Sequence, residues 1–153
     1  MLSKKCQYAL HALLFLAHHE DSDRVTIQAI AEKKNIPKKF LENILMDLKN
    51  GGILGSKKGK FGGYYLKRKA SEVNVLEVIR LIDGAVAMLP CVSLNYYQSC
   101  GRCEDEANCS INKLFSSVRD ETLKILSGCS LENLNKMSFP FLKDAPLENA
   151  VGV

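Results

Sequence analysis

No stretch of this 153-residue sequence is apolar for long enough to cross a bilayer. The most suggestive run, residues 8–17, falls well short of the ~20 residues a spanning helix needs. Lys4 and Lys5 precede that run in the manner of a secretory signal, but His11 interrupts it and a helical core segment accounts for it equally well. The expected location is the cytoplasm. Catalytic signatures are missing too. The three histidines, His11, His18 and His19, all lie in the first segment, none is set beside a Ser or Cys nucleophile, and neither a phosphate loop nor a dinucleotide fingerprint occurs. An enzyme is therefore not expected. Tight cysteine pairs are scarce: Cys100 and Cys103 form one CxxC, so the two distant knuckles of a zinc ribbon are absent.

Cysteine itself is not scarce. Four of the six cysteines, Cys91, Cys100, Cys103 and Cys109, fall within residues 91–109. Thiolates favour zinc, copper(I) and iron–sulfur clusters. In a reducing compartment such a group binds metal or senses redox more often than it staples a fold. The residues between the cysteines are polar, among them Asn95, Gln98, Ser99, Glu104, Asp105 and Asn108, and they read as a loop that needs a ligand to hold it. The net charge of +4 hides an asymmetry. Residues 1–70 carry 14 Lys and Arg against 6 Asp and Glu, and the remainder carry 7 against 11. A basic front half and an acidic back half suggest a polyanionic partner for the front alone.

Along the chain, residues 3–19 contain no Pro or Gly and predict a largely buried helix. A polar break at residues 20–23 precedes Thr26, a fitting N-cap for a short helix to about Lys34 with Ile27, Ile30 and Ala31 inward. Asn35, Ile36 and Pro37 make a tight turn, with Pro37 suited to the first turn of a helix reaching about Asn50. Phe40, Leu41, Ile44, Leu45 and Leu48 form its expected buried stripe. Lys38, Lys39, Glu42 and Asn43 lie off that stripe. This is a helix-turn-helix pattern, shared with any helical hairpin. A hairpin follows directly: a strand from Ile53, a turn carrying Lys57, Lys58 and Lys60 among glycines, and a second strand at Tyr64–Leu66. That order makes a winged helix, with wing lysines placed for phosphates or the minor groove. An apolar helix over residues 75–82 stops at Asp83 and Gly84. After the cysteine loop, Ile111, Leu114, Phe115, Val118, Thr122, Ile125 and Leu126 recur at helical steps from Ser110 to Gly128. This long helix is a candidate dimer arm, with packing onto the first helix as the alternative. A further helical turn at residues 130–134 and a loosely held tail after Met137 complete the chain.

These features together resemble the iron–sulfur winged-helix repressors of the IscR and NsrR type, the Rrf-two family. The resemblance covers roughly residues 1–135. It is carried by Tyr8, Ala9 and Leu10, by residues 36–41 opening the recognition helix, by the Gly59 to Tyr64 wing, and by the helix and cysteines that follow. It implies a mainly α fold with a small β-hairpin wing, divided as a winged helix-turn-helix domain (1–70), a connecting helix (71–90), a cysteine loop (91–109), a dimerisation helix with a short helix (110–136) and a tail (137–153). It also implies a homodimeric transcription regulator, a repressor, on a palindromic operator in double-stranded DNA. Lys38, Lys39, Glu42 and Asn43 would read the major groove, and Lys57, Lys58 and Lys60 would hold the wing, with Lys58 placed like the family's wing arginine. Cys91, Cys103 and Cys109 would bind a 2Fe–2S or 4Fe–4S cluster. The last two keep the family's spacing, whereas the gap from Cys91 to Cys103 is longer than is common. Where one branch supplies a histidine as fourth ligand this chain has Asn112, and where another uses an acidic residue in the first helix it has Gln7. Cys100, and after it Cys6, are the substitutes. Cys129 reads as a partly buried structural thiol. Two other readings use the same thiols: a Cys100–Cys103 disulfide switch on the same DNA-binding protein, or a small electron-transfer protein, for which a lysine-tipped wing has no purpose.

Overall fold

The computed structural model describes residues 2–19, 24–102 and 105–137. The polar break at 20–23, Cys103 and the tail beyond Met137 lie outside the described residues. The order of elements is α1 (Lys4–His18), α2 (Ile27–Lys34), α3 (Lys38–Asn50), β1 (Leu54–Lys57), β2 (Gly63–Leu66), α4 (Val75–Ile82), α5 (Ser110–Gly128) and α6 (Leu131–Asn135), with short 3-10 turns at Ala70–Glu72, Pro90–Val92 and Glu106–Asn108. Local chemistry sets the starts of most helices. The side chains of Ser3, Thr26, Asn74 and Ser130 each accept from a backbone N–H in the first turn of α1, α2, α4 and α6. Asn35 closes α2 in the left-handed region at φ 51°, which lets α3 set off at once in a new direction.

The main core lies where α1, α2, α3 and the hairpin meet. Leu13, Ile30, Leu41, Ile44, Leu45, Leu48, Ile53 and Leu54 are fully enclosed there. α6 returns from the far end of the chain to add Leu131 to the same cluster. A smaller cluster of Cys6, Val75, Ile79 and Cys129 joins α1, α4 and the end of α5.

Three expectations need correction. Phe40 is not part of the buried stripe; it is 38% exposed and stands edge-on to Tyr8 at 5.8 Å, because the stripe is already filled by Leu41, Ile44, Leu45 and Leu48. Pro37 is the N-cap of α3 rather than its first helical residue. Ile53 is core but precedes the strand, its carbonyl accepting from Lys67 N–H beyond the paired residues. The hairpin also has a third member. Val25 pairs with Tyr64 through reciprocal bonds of 2.9 and 2.8 Å, anchoring the wing to the segment that leads into α2.

α5 is unlike the other helices. None of its 19 residues is fully buried. It lies against α4 and the turns Pro90–Val92 and Glu106–Asn108, and its Leu126 packs on the smaller cluster that includes Cys6 of α1. Ile111 and Leu114 are 58% and 61% exposed, and Ile125 is also exposed.

Candidate nucleic-acid interface and cysteine loop

Lys38, Lys39, Glu42 and Asn43 are all exposed on the first turns of α3. They share one face because the opposite face is locked into the core by Leu41, Ile44, Leu45 and Leu48. No side chain caps the start of α3, so its first N–H groups stay available to an anion. The Lys5–Asp47 ion pair, 2.6 Å, ties α1 to the later part of α3 and leaves the leading lysines unpaired with it.

The wing follows α3 directly, and its first strand packs against that helix. β1 and β2 are antiparallel, with Leu54 opposite Leu66 and Lys57 opposite Gly63. The register demands glycine. A Cβ on Gly55 would strike the Tyr65 ring, and one on Gly63 would lie 2.6 Å from the Val25 carbonyl. Lys57, Lys58 and Lys60 are exposed at the tip. The seven polar residues expected to face DNA are thus all presented to solvent, four on α3 and three on the wing.

The cysteine loop is built differently from its polar sequence pattern. Cys91 sits in the turn Pro90–Val92, whose neighbours Val92 and Ser93 are buried. Cys109 is the N-cap of α5, its Sγ accepting from Asn112 N–H at 3.5 Å. The Asn112 side-chain amide donates to the Cys91 carbonyl at 3.3 Å. One residue therefore holds Cys91 and Cys109 together at the start of α5. Two turns on, Arg119 donates to the Val92 carbonyl at 2.6 Å, so the turn is fastened to α5 at two levels. Glu106 braces the arch between, accepting from Tyr97 Oη at 2.8 Å and Ser99 Oγ at 2.9 Å. The bond to Glu106 raises the Tyr97 phenol above its ordinary value. Cys100 is exposed at the outer end of this arch. Polar residues that read as a loop in need of a ligand thus also bond to one another across it, although most of them stay exposed.

Cys6 belongs to the smaller core cluster. It is enclosed between α1 and α4, and burial, with Asp83 adding to it, pushes its thiol up to about 11. Burial also raises Cys129.

The profile of Rrf2, described as iron-dependent transcriptional regulators, matches residues 2–136. The chain belongs to the Rrf2 family. It is 40% identical to an Rrf2-like helix-turn-helix transcriptional regulator of Rhodobacter capsulatus, over 94% of this chain and 97% of the relative. It is 32% identical to the regulator IscR of Photorhabdus laumondii, over 87% of this chain and 77% of that protein. Among solved structures, the oxidised form of Staphylococcus aureus CymR superposes with a TM-score of 0.69 at 27% identity, covering 89% of this chain and 96% of CymR. This Rrf2 chain is a DNA-binding transcriptional regulator with the winged-helix fold.

Among its described residues, no three His, Cys, Asp or Glu side chains are gathered as a metal set. The donor chemistry nonetheless fits an iron–sulfur cluster: the loop supplies thiols, and Asn112 ties the Cys109 thiol and the backbone of Cys91 to one helix end. In this Rrf2 chain Asn112, Arg119 and Glu106 were not legible as site residues. Their roles depend on partners 27 residues away at most, across a loop whose path the sequence does not specify. The spacing of Asn112 three residues after Cys109 was the one available signal, and it marks a brace instead of a ligand.

Proposed function

We propose that this regulator acts in the cytoplasm as a homodimeric repressor on a palindromic operator and reports iron–sulfur, redox or nitric oxide status through its cysteine loop. α3 enters the major groove. Asn43 can pair with adenine, Glu42 can accept from cytosine, and Lys38 and Lys39 reach guanine or phosphate. Lys57, Lys58 and Lys60 hold the wing to the backbone. The exposed row Ile111, Leu114 and Ile125 on α5 meets its copy in a second subunit. Cys91, Cys103 and Cys109, with Cys100 as the fourth ligand, hold a 2Fe–2S or 4Fe–4S cluster.

The observation that carries the sensing half is the Asn112 bridge. It attaches the Cys91 carbonyl and the Cys109 thiol to the first turn of α5. Any change in the loop that moves Cys91 or Cys109 is thereby passed to the helix that sets subunit spacing. The cluster, when bound, supplies redox- and ligand-dependent thiolate coordination. The protein's own groups do the rest: Asn112 and Arg119 hold one side of the loop on α5, and Glu106 holds the other.

A second reading is a cluster-free thiol switch at Cys100 and Cys103. It is supported by the CxxC spacing and by a relative, CymR, whose oxidised form has been solved. Iron, zinc and acid-labile sulfide per subunit, measured on protein purified without oxygen together with its visible spectrum, separate the two. Iron with matching sulfide is the expected result. Absence of metal in fully reduced, DNA-binding protein would transfer the sensing role to the thiols.

A further inference from the structure

The tip of the wing carries an apolar side chain that neither the core nor the phosphate contacts use. Phe61 is 81% exposed. Its position is built rather than loose. Lys60 and Phe61 are the two corner residues of a turn closed by the Gly62 N–H donating to the Gly59 carbonyl at 2.9 Å. Gly59 has φ 109°, and a Cβ on Gly62 would come within 2.5 Å of the Lys57 carbonyl, so the corner needs both glycines. Arg24, from the segment ahead of α2, donates to the Phe61 carbonyl at 3.4 Å. The backbone of the corner is tied to the body of the domain while the ring stays in solvent. Lys60 Nζ lies 5.8 Å from the ring centroid.

The charge around the ring selects its partner. Residues 51–71 hold six Lys and Arg and no Asp or Glu, a surface that attracts a polyanion. Lysines reach phosphates. An aromatic ring gains nothing from a phosphate and is useful on a duplex only against sugars or base pairs. The minor groove, about 6 Å wide, accepts a tight two-residue corner but not a helix, and phenylalanine is among the side chains that wedge between its base steps.

We propose that Phe61 enters the minor groove at the wing tip and wedges against a base step, with Lys60 leaving the ring face for a phosphate. The inference rests on the DNA-binding reading of the wing given above. It adds a source of specificity that needs no hydrogen bond: pyrimidine–purine steps, the easiest to unstack, are favoured beneath the wing.

The test uses the full-length protein and the duplex it selects from a randomised pool, with 2-aminopurine placed at successive steps beneath the wing. Wild-type protein should brighten the probe at one step. Phe61→Ala should bind about tenfold more weakly or worse, with an unchanged salt slope and no brightening. Lys60→Ala should lower the salt slope by about one unit. If Phe61→Ala matches wild type in affinity and fluorescence while Lys60→Ala still lowers the slope, the wing is on DNA and the ring is not in the groove, and the proposal fails. If both variants match wild type, the wing does not contact DNA, and the proposal fails together with the reading it rests on.

Discussion

Cys6 shows how one residue's surroundings decide its chemistry. The same thiol that composition places among soft ligands is enclosed with Val75, Ile79 and Cys129, and Asp83 adds its negative charge nearby. Both effects oppose ionisation. In native protein, iodoacetamide should therefore leave Cys6 and Cys129 unmodified at pH 8, and both should react once denaturant opens the cluster; mass spectrometry of the peptides reads this directly. The same shift has a consequence for stability. The Cys6 pKa is raised on folding from 9.0 to about 11. Its contribution is whole below pH 9 and is lost as pH rises toward 11, where the unfolded chain has already released the proton and the folded chain has not. Denaturant unfolding of wild type and Cys6→Ala, compared from pH 8 to 11, should show an alkaline decline that is shallower in the variant. Parallel curves would mean that the thiol does not ionise differently in the two states.

At the scale of elements, the turn Pro90–Val92 depends on α5 for its place. Arg119 is largely covered, and its guanidinium donates to the Val92 carbonyl. Removing a charged donor of this kind costs about 1–3 kcal/mol and leaves a carbonyl to find another partner. Arg119→Ala should lower stability by that amount and speed amide hydrogen exchange over residues 92–98, while exchange in α1 to α3 stays as in wild type. Uniform acceleration would place Arg119 in the global fold instead of the loop. This dependence also marks where the sequence stops being informative. Thr26, the stripe along α3, the glycine-rich wing and both ends of α5 are legible because each is a local pattern: a cap, a period of 3.6, a turn that needs glycine. Phe40 is misread because periodicity cannot say when a core is already full. The Val25–Tyr64 pairing, the Asn112 bridge and the Arg119 fastening join residues far apart in the chain, and nothing in their own neighbourhoods announces a partner. The polar residues of the cysteine loop look alike as solvated positions or as an internal brace until the loop's path is known.

For the whole molecule, the controlling question is what covers α5. A helix of 19 residues with none fully buried, carrying Ile111 and Leu114 one turn apart and Ile125 further along, is not stable by its own propensity and has little core of its own. Beside the same helix, a groove of about 590 Å³ between α4, α5 and the start of α1 is lined by Leu2, Ile79, Val86, Met88, Val118 and Leu126. Two copies meeting along this side would cover both the row and the apolar rim of the groove, and would set two basic reading heads at a fixed distance while the acidic half lies between them. Leu114→Asp tests this without disturbing the fold, since Leu114 is 61% exposed. Sedimentation should show the mass falling from dimer to monomer. Operator affinity should fall by roughly 10²–10⁴-fold, because each head then binds without the effective concentration supplied by the other. Affinity for a single half-site should stay as in wild type. A variant that remains dimeric would move the interface off this face of α5, and the loop cysteines would then have to act on DNA binding by a route other than subunit spacing.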